Sequence, residues 1–367
     1  MNAEPPSALI LAAGFSSRMQ ELKPLLPLGG KNALDRLIGT FLSAEIADIR
    51  VVLGYRGVEI AEKLFFRDEV TFLYNPDYAK GMLSSLRCGV QNLPQEGEMF
   101  FLCPGDVPTF KADTVRGLLR AYEESGGKLF YPVYEGEKGH PILLASAIAK
   151  EILVGCWPEG LRSLLALHQG AKVPVTDRGI LRDMDTPEEY AALEADFSSA
   201  PDYLGFAAAF LAKTPLPDHL LAHCNKVAEV ASVLGKALND EGMALNETLL
   251  FAAGRIHDFA KGEKGHAQTG RRRLMKAGQP ELAVLVGAHM GDGINSDLPL
   301  SEKDVLFLAD KMVKGDRLVG IDRRFALAYE KFGDLPQLRQ REAKAKAIAK
   351  KVEAVLHTPP ETFLAGK

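Results

Sequence analysis

The sequence predicts an α/β fold with a doubly wound, mostly parallel sheet in its first half, and an all-α fold in its second half. From residue 8 to about residue 190, apolar strand-like runs alternate with helical patterns, which is typical of parallel strands joined by helices. Later in the chain the strand signals fade and helical patterns follow one another. This change predicts a first domain at 1–197, a linker at 198–217 and a second domain at 218–367.

Hydrophobic patterning predicts the elements of the first half. The apolar run that begins at Leu9 is typical of a buried parallel strand. Similar runs predict further strands at 50–54, 70–74 and 99–103. Helical patterns between them predict helices at 35–43, 58–66 and 82–93. Ligands of such sheets lie beyond the carboxyl ends of the strands, so polar residues that follow a strand are candidates for a site.

Helical patterns dominate the second half. They predict helices at 218–238, 247–261, 267–277, 281–290 and 302–314. The segment 325–356 is also mostly helical in pattern, with lysine-rich and alanine-rich spacing. It contains no residues that we associate with chemistry, and we expect it to cap the helical domain.

The composition is that of a soluble globular protein and argues against several classes of function. A formal net charge of −4 over 367 residues disfavours general binding to nucleic acid or to a membrane surface. The cysteines are scattered without a C-x-x-C pair, which fits a reducing compartment; they are Cys88, Cys103, Cys156 and Cys224. We see neither a signal peptide nor an apolar run of the ~18 residues that a membrane span needs, so we expect a cytoplasmic location.

The segment that follows the first strand is typical of a phosphate-binding loop. Its candidate residues are small, hydroxyl-bearing or cationic: Leu11, Ala12, Ala13, Gly14, Ser16, Ser17, Arg18 and Lys23. Small residues let a ligand approach the backbone, whose N–H groups can bind an anion. Arg18 and Lys23 would balance the charge of a triphosphate. An ordinary strand-to-helix turn with two solvated cations explains the spacing equally well.

Two later segments are candidates for binding the nucleotide and its acceptor. Gly81 could begin a helix whose N-terminus faces the ligand, with Ser84 or Ser85 as a hydroxyl donor. A capped helix without a ligand explains this segment equally well. His140 could contact an acceptor, or could occupy a turn that the following proline restricts.

Three aspartates are candidate ligands of a cation. Asp106 ends the fourth strand, where a carboxylate could hold Mg2+ together with phosphate oxygens. A turn aspartate bonded to its own backbone is the alternative. Asp183 and Asp185 lie two residues apart, which on an extended segment directs both carboxylates to one side. Thr186 and Glu189, which follow them, predict a helix-capping box.

The signature of the MobA-like molybdenum-cofactor nucleotidyltransferases resembles two runs of this chain, LAAGFSSRM at 11–19 and KPLLPLGG at 23–30. The cytidylyltransferase branch is the more similar one, because its members have L-A-A-G at the start of the loop. Gln20 stands where the family has a glycine. The resemblance covers about residues 8–195 and includes the segments that contain Ser84, Asp106, His140 and Asp183.

This resemblance implies a Mg2+-dependent transferase that takes CTP and a molybdopterin-type acceptor phosphate and releases pyrophosphate. It implies catalytic roles for Arg18, Lys23 and Asp106, with Asp183 favoured over Asp185 as the second ligand of Mg2+. Another NTP, and a sugar phosphate or other small acceptor, are the alternatives. A molybdoenzyme, a chaperone or a second copy of the chain are candidate partners.

Imidazole and carboxylate groups recur through the helical half. They are His223, His257, Asp258, His266, His289 and Asp310. Neutral imidazoles mixed with carboxylates suit Mn, Fe, Co, Ni or Zn better than Mg2+ alone. Singly, each histidine is better explained as a hydrogen-bonded core or surface side chain. Adjacent His257 and Asp258 diverge on a helix, so both could bind only in a pocket around that helix or as a bridge between two ions.

The order H…HD…H…H…D of these residues resembles that of the HD phosphohydrolase domain. The run FAAGRIHDFAK at 251–261 is similar to the A-x-L-L-H-D-I-x-K of that family, and LADK at 308–311 is similar to its closing A-D-K. The resemblance covers about residues 218–320. It implies hydrolysis of a nucleotide or other phosphate ester with one or two divalent ions, and a metal-supporting or phosphate-contacting role for Lys261. A module that senses a nucleotide without hydrolysing it is the alternative.

Overall fold

The computed structural model describes residues 6–16, 19, 21–94, 97–155, 157, 160–197, 199–295 and 297–366. The chain divides into two compact units, Met1–Pro201 and Asp202–Lys367. The first unit has an α/β fold with a mostly parallel sheet and the second is built from helices, so the predicted fold class is confirmed in both.

A sheet of eight strands forms the centre of the first unit, counted over the described residues. The strands are β1 (Ser7–Ala12), β2 (Ile49–Leu53), β3 (Thr71–Tyr74), β4 (Met99–Pro104), β5 (Leu129–Tyr134), β6 (Glu137–Lys138), β7 (Ile142–Ala145) and β8 (Ala171–Pro174). Their order is β3-β2-β1-β4-β7-β5-β6, with β8 paired to β5. β3, β2, β1 and β4 are parallel, whereas β7 is antiparallel to β4 and β5. The loops that follow β1 and β4 therefore meet at one edge of the sheet.

Helices connect these strands close to the predicted positions. They are α1 (Ala33–Ser43), α2 (Gly57–Lys63), α3 (Met82–Gln91), α4 (Ala112–Ser125), α5 (Ser146–Val154), α6 (Leu161–Leu165) and α7 (Pro187–Asp196). The helix predicted at 58–66 ends earlier, because Leu64 is extended. The capping box is confirmed: the Thr186 hydroxyl accepts from the Glu189 N–H, and the Glu189 carboxylate accepts from the Thr186 N–H.

The second unit consists of helices and one short hairpin. They are α8 (Tyr203–Lys213), α9 (Asp218–Asp240), α10 (Glu247–Ile256), α11 (His266–Lys276), α12 (Pro280–Ala288), α13 (Glu302–Met312), β9 (Val313–Lys314), β10 (Arg317–Leu318), α14 (Ile321–Phe332), α15 (Pro336–Leu356) and α16 (Pro360–Ala365). α8 lies within the predicted linker and belongs to this unit, where the Phe210 ring packs edge-on against Phe259 at 4.8 Å.

Several helices of the second unit end before their predicted limits. The helix predicted at 247–261 ends at Ile256, and the one predicted at 302–314 ends at Met312, where the hairpin begins. The segment 325–356 is divided between α14 and α15, because Gly333 adopts a positive φ of 75° that stops the first helix.

The structure also bears on the cysteines and on membrane spans. Cys88, Cys103 and Cys224 are free thiols, and Cys156 lies outside the described residues. Within the described part of the chain, each helix is too short or too polar to cross a bilayer.

α9 and α10 pack so closely that only a glycine fits at one contact point. A Cβ atom built on Gly254 would lie 2.5 Å from the Cα of Ala228, which is closer than any real carbon contact. α9 carries His223, and His257 follows α10 directly. The glycine therefore fixes the distance between two helices that present candidate metal ligands.

We expect Gly254→Ala to destabilise the second unit by about 1–3 kcal/mol, because the added methyl group would force α10 away from α9. Calorimetric thermal unfolding would measure the change. Gly117→Ala in α4 is the matched control, since a Cβ there meets no atom within 4 Å, and we expect a stabilisation of about 0.4–1 kcal/mol. An unchanged or raised unfolding temperature for Gly254→Ala would contradict this account of the packing.

Candidate functional sites

The loop that follows β1 leaves open space beside its backbone. A Cβ built on Gly14 would have no neighbouring atom within 4 Å among the residues that the structure describes. Ser16 adopts a positive φ of 53°, and its hydroxyl accepts a hydrogen bond of 3.1 Å from the backbone N–H of Lys23. This hydrogen bond holds the backbone of Lys23 close to Ser16. Ser17 and Arg18 lie outside the described residues, so their roles stay predictions.

Backbone hydrogen bonds join this loop to the segments that follow β2 and β4. The carbonyl of Leu11 accepts a hydrogen bond of 2.8 Å from Gly105, and that of Ala13 accepts one of 3.4 Å from Tyr55. A side chain at Gly105 would clash with Ala12, since a Cβ there would lie 2.9 Å from the alanine Cβ. The residue after this glycine, Asp106, is therefore held next to the loop.

Three carboxylates and one lysine converge beside the loop. The Lys23 ammonium lies 2.7 Å from an oxygen of Asp185. Burial chiefly raises the pKa of the Asp106 carboxyl; Lys23 opposes the rise, while Asp185 and Asp183 add to it. The pKa of Asp183 is also raised, chiefly by burial and then by the negative charges of Glu189 and Asp185. The structure thus brings together residues that the sequence separates widely.

This acidic cluster has the donor set that Mg2+ prefers. The negative charges of Asp185 and Asp183 add to the rise in the pKa of Asp106 that burial causes, and a divalent cation beside these carboxylates would relieve that repulsion. The charge of Asp185 is already partly compensated by its ion pair with Lys23. The residues present therefore fit a Mg2+ ion.

Asn75, which the sequence analysis did not single out, organises the start of α3. Its side-chain amide donates to the hydroxyl of Ser84 at 2.9 Å and to that of Ser85 at 3.0 Å. The Ser84 hydroxyl is 2.8 Å from the carbonyls of Asp77 and Gly81, and Ser85 is buried. The serine hydroxyls are therefore engaged within the protein. The sequence did offer one signal for Asn75: like Asp106 after β4, it is a polar residue close behind the end of a strand, β3.

A cavity of about 870 Å3 extends from the end of β1 to the β6–β7 region. Most of its lining is apolar, including Leu11 and Met82, and its polar groups include Lys138, His140 and Arg162. Its volume is within the range of about 300–1,000 Å3 that small-molecule sites occupy. A partly apolar, anionic molecule would fit this lining, and the cations Lys138 and Arg162 were not predicted to contribute.

His140 is uncharged at neutral pH. Burial lowers the pKa of its imidazole to about 4, against a hydrogen bond to the Leu102 backbone that raises it. Its Nδ1 atom is buried and has no hydrogen-bond partner among the described residues. The ring is therefore neutral, and its Nδ1 is a buried acceptor without a partner among the described residues.

The six predicted ligands of the second unit converge on one centre. His266 and His289 each lie 3.4 Å from Oδ1 of Asp258, measured from Nε2. The corresponding distances to Oδ2 of Asp258 are 3.8 Å for His223 and 3.7 Å for His257. Asp310 is the sixth residue, and its Oδ1 lies 3.2 Å from the His223 ring and 3.7 Å from the His257 ring. The early end of α10 turns His257 and Asp258 toward this centre.

The protein backbone orients three of these imidazoles. The Nδ1 atoms of His223, His257 and His289 lie 3.0, 2.8 and 2.6 Å from the carbonyls of Gly315, Gly254 and Val286, respectively. Such a contact places the proton on Nδ1 and leaves Nε2 as a basic ligand.

The centre fits divalent metal ions. The His257 Nε2 atom is buried without a hydrogen-bond partner among the described residues, which is costly unless a metal binds there. Two groups can each hold an ion and share Asp258: one adds His223 and His257, the other His266 and His289. This arrangement is compatible with a bridge between two ions, which is one of the two arrangements that adjacent His257 and Asp258 allow.

A second cavity, of about 280 Å3, opens beside this centre. Its wall includes Phe325, Lys331, Phe332 and Arg341, all from the segment in which the sequence revealed no chemistry. That expectation of the sequence analysis needs correction, because α14 and α15 supply cations next to the candidate metal ligands. Lys261 also lines the cavity and pairs with Asp258.

We expect His140→Gln to flatten the pH dependence of the stability of the first unit. The folded ring has a pKa of about 4 and the unfolded ring one near 6.5, so the unfolded state binds more protons between these values. The stability that this difference provides is fully present above pH 6.5 and is lost as the pH falls through 4, by about 3 kcal/mol in all.

Denaturant unfolding followed by fluorescence of Trp157, the single tryptophan, would report on the first unit. His219→Gln in the other unit is the matched control, and its free energy of unfolding should change with pH as that of the wild type does. If the free energy of unfolding of His140→Gln changed with pH as steeply as that of the wild type between about pH 4 and 6.5, the claim that the buried imidazole is neutral would be wrong.

The first unit is similar to several known proteins. The molybdenum cofactor cytidylyltransferase of Escherichia coli (strain K12) is 31% identical over 182 residues, which are 50% of this chain and 92% of that protein. The bifunctional protein GlmU of Bifidobacterium animalis subsp. lactis (strain AD011) is 24% identical, and the match spans 54% of this chain but only 44% of GlmU. Among solved structures, the homologue of Mycobacterium tuberculosis Rv0371c from Mycobacterium sp. strain JC1 matches with a TM-score of 0.47 and 24% identity, over 52% of this chain and 96% of that one.

Family models match both units. The model of the MobA-like NTP transferase domain matches residues 8–173, and that of the HD domain matches residues 220–314. These matches and the extent of the Escherichia coli relative confirm both of the resemblances that the sequence motifs indicated. The chain therefore belongs to the MobA-like NTP transferase family and carries an HD domain in its second unit.

Proposed function

We propose that the first unit transfers CMP from CTP to the phosphate of a molybdopterin-type acceptor and releases pyrophosphate. The observation that carries this proposal is the convergence of Asp106, Asp183, Asp185 and Lys23 beside the open loop after β1. The name of the Escherichia coli relative, a molybdenum cofactor cytidylyltransferase, supports the choice of CTP and of the acceptor.

In this proposal an acceptor phosphate oxygen attacks the α-phosphorus of CTP, and the bond to the pyrophosphate group breaks. Asp106 and Asp183 would hold a Mg2+ ion, whose charge offsets that of the triphosphate. Lys23, fixed by Asp185, adds a positive charge beside the loop, and Arg18 is the predicted partner of the β- and γ-phosphates. The large cavity that contains His140 would bind the acceptor.

We expect Asp106→Asn to lower the rate of transfer by about 100-fold or more, equivalent to about 3 kcal/mol, because an amide is a much weaker ligand of Mg2+. The assay follows label from the α-phosphorus of CTP into molybdopterin. Asp113→Asn is the matched control, since this carboxylate is exposed on α4 and pairs with Arg116.

Several outcomes of that assay would contradict the proposal. They are an unchanged rate in Asp106→Asn, turnover with GTP but not with CTP, and transfer to a sugar phosphate in preference to molybdopterin. The last two would leave a nucleotidyltransferase of different specificity.

We propose that the second unit is a metal-dependent phosphohydrolase with two divalent ions, drawn from Mn, Fe, Co, Ni and Zn. The observation that carries this proposal is the position of Asp258, which directs one oxygen to His266 and His289 and the other to His223 and His257. A bound ion of this kind lowers the pKa of a water molecule and makes it a nucleophile. Asp258 would bridge the two ions, and Lys261 would bind a phosphoryl oxygen of the substrate.

We expect metal analysis of the purified chain to give two ions per molecule, and His266→Ala to retain about one, because His223, His257 and Asp310 stay intact. His219→Ala is the matched control on α9, and it should retain two ions. One ion in the wild type, or loss of both in His266→Ala, would contradict the shared arrangement. Metal binding without turnover of any phosphate ester would favour a sensing module.

A further inference from the structure

The cavity beside the metal centre is lined by an excess of positive charge. Its cationic residues are Lys261, Lys311, Lys314, Arg324, Lys331 and Arg341. The carboxylates in its lining are Asp258 and Asp310, which are both candidate metal ligands. Once these carboxylates hold metal ions, the remaining charged groups of the lining are cations.

These six cations differ in whether they form an ion pair with a carboxylate. Lys261 and Lys311 pair with Asp258 and Asp310, respectively. In the part of the chain that the structure describes, the other four form no ion pair; they are Lys314, Arg324, Lys331 and Arg341. Their charge is available to a ligand.

Backbone carbonyls hold the two guanidinium groups in place. Arg324 Nε donates to the carbonyl of Val313 at 3.1 Å, and Arg341 Nε donates to that of Met290 at 2.9 Å. A neutral carbonyl orients a guanidinium but does not neutralise it. Like charges also face one another here: the pKa of Lys314 is lowered, first by burial and then by Arg324, Lys331 and Lys261, against the opposing effect of Asp310. An anion would relieve this repulsion.

The size of the cavity limits the anion. At about 280 Å3 it is just below the range of about 300–1,000 Å3 that encloses drug-sized ligands, so it would enclose a small anion but not a whole nucleotide. Four cations that form no ion pair among the described residues, beside a centre proposed to hold two metal ions, carry more positive charge than a single phosphate group would neutralise. The lining therefore suits a compact anion with two phosphate groups.

We propose that this pocket binds inorganic pyrophosphate and hydrolyses it to two phosphate ions. Water adds to one phosphorus, the bond from that phosphorus to the bridging oxygen breaks, and the bridging oxygen leaves on the second phosphate. The protons of the water are shared between the products, and nothing is oxidised or reduced. The cations of α14 and α15 bind the phosphate that leaves, while the metal centre faces the one that is attacked.

This inference rests on the phosphohydrolase function proposed for the second unit, and on the proposed transfer reaction for the source of the pyrophosphate; binding itself is inferred from the lining of the pocket. Nucleotidyl transfer from an NTP is readily reversible as long as its product pyrophosphate is present. Hydrolysis of that product by the second unit would make the transfer by the first unit irreversible.

The first test measures binding without turnover. Labelled methylenediphosphonate, a pyrophosphate analogue whose P–C–P bridge resists hydrolysis, is equilibrated by dialysis with the metal-loaded full chain. We expect the double variant Lys331→Gln/Arg341→Gln to raise the Kd of this analogue at least tenfold. The matched control Arg339→Gln/Lys350→Gln removes one arginine and one lysine from α15, both outside the cavity lining, and should leave the Kd unchanged. Equal Kd values in both double variants would overturn the proposal.

The second test measures phosphate release from the metal-loaded full chain, without CTP or acceptor, so that its result is independent of the transferase. Pyrophosphate, CMP, CDP and 4-nitrophenyl phosphate are compared. We expect pyrophosphate to be hydrolysed at least tenfold faster than the others. Faster release from a monoester or from CDP would overturn the inference but leave the phosphohydrolase proposal standing. Failure of CMP transfer alongside rapid pyrophosphate hydrolysis would instead refute the proposal for the first unit.

Discussion

Both units depend on one constraint: carboxylate side chains cluster where strands and helices end. In the first unit the half-buried carboxylate of Asp106 lies in the field of the negative charges of Asp185 and Asp183 and of the positive charge of Lys23. In the second, Asp258 and Asp310 lie buried among imidazoles whose Nδ1 atoms are fixed by the backbone. Carboxylates that cluster, and above all those that are buried as in the second unit, are stabilised by opposite charge, so both units are suited to receive cations.

The elements that bring these groups together could be predicted from the sequence. The alternation of apolar and helical segments predicted β2, β3 and β4 to within a residue at each end, and the parallel sheet then implied that Asp106 lies near the loop after β1. Motif resemblance supplied what periodicity lacks, namely that Asp183 and the distant histidines of the second unit belong to sites.

Other features were beyond the sequence because they depend on which surfaces meet. Helical spacing shows that α15 has a polar face, but not that Arg341 on that face lines the cavity beside the metal centre. Asn75 resembles many polar residues after a strand, and only the folded chain shows that it engages two serine hydroxyls. Helix ends were also misjudged, since the patterns continue past Ile256 and Met312 while the backbone turns there to complete the site.

Anomalous diffraction from crystals of the full chain soaked with Mn2+ and a non-hydrolysable CTP analogue would test the central claim most directly. The account predicts one peak between Asp106 and Asp183 beside the triphosphate, and two peaks on either side of Asp258. A triphosphate bound away from the loop after β1, or Mn2+ peaks absent from both acidic clusters, would contradict it.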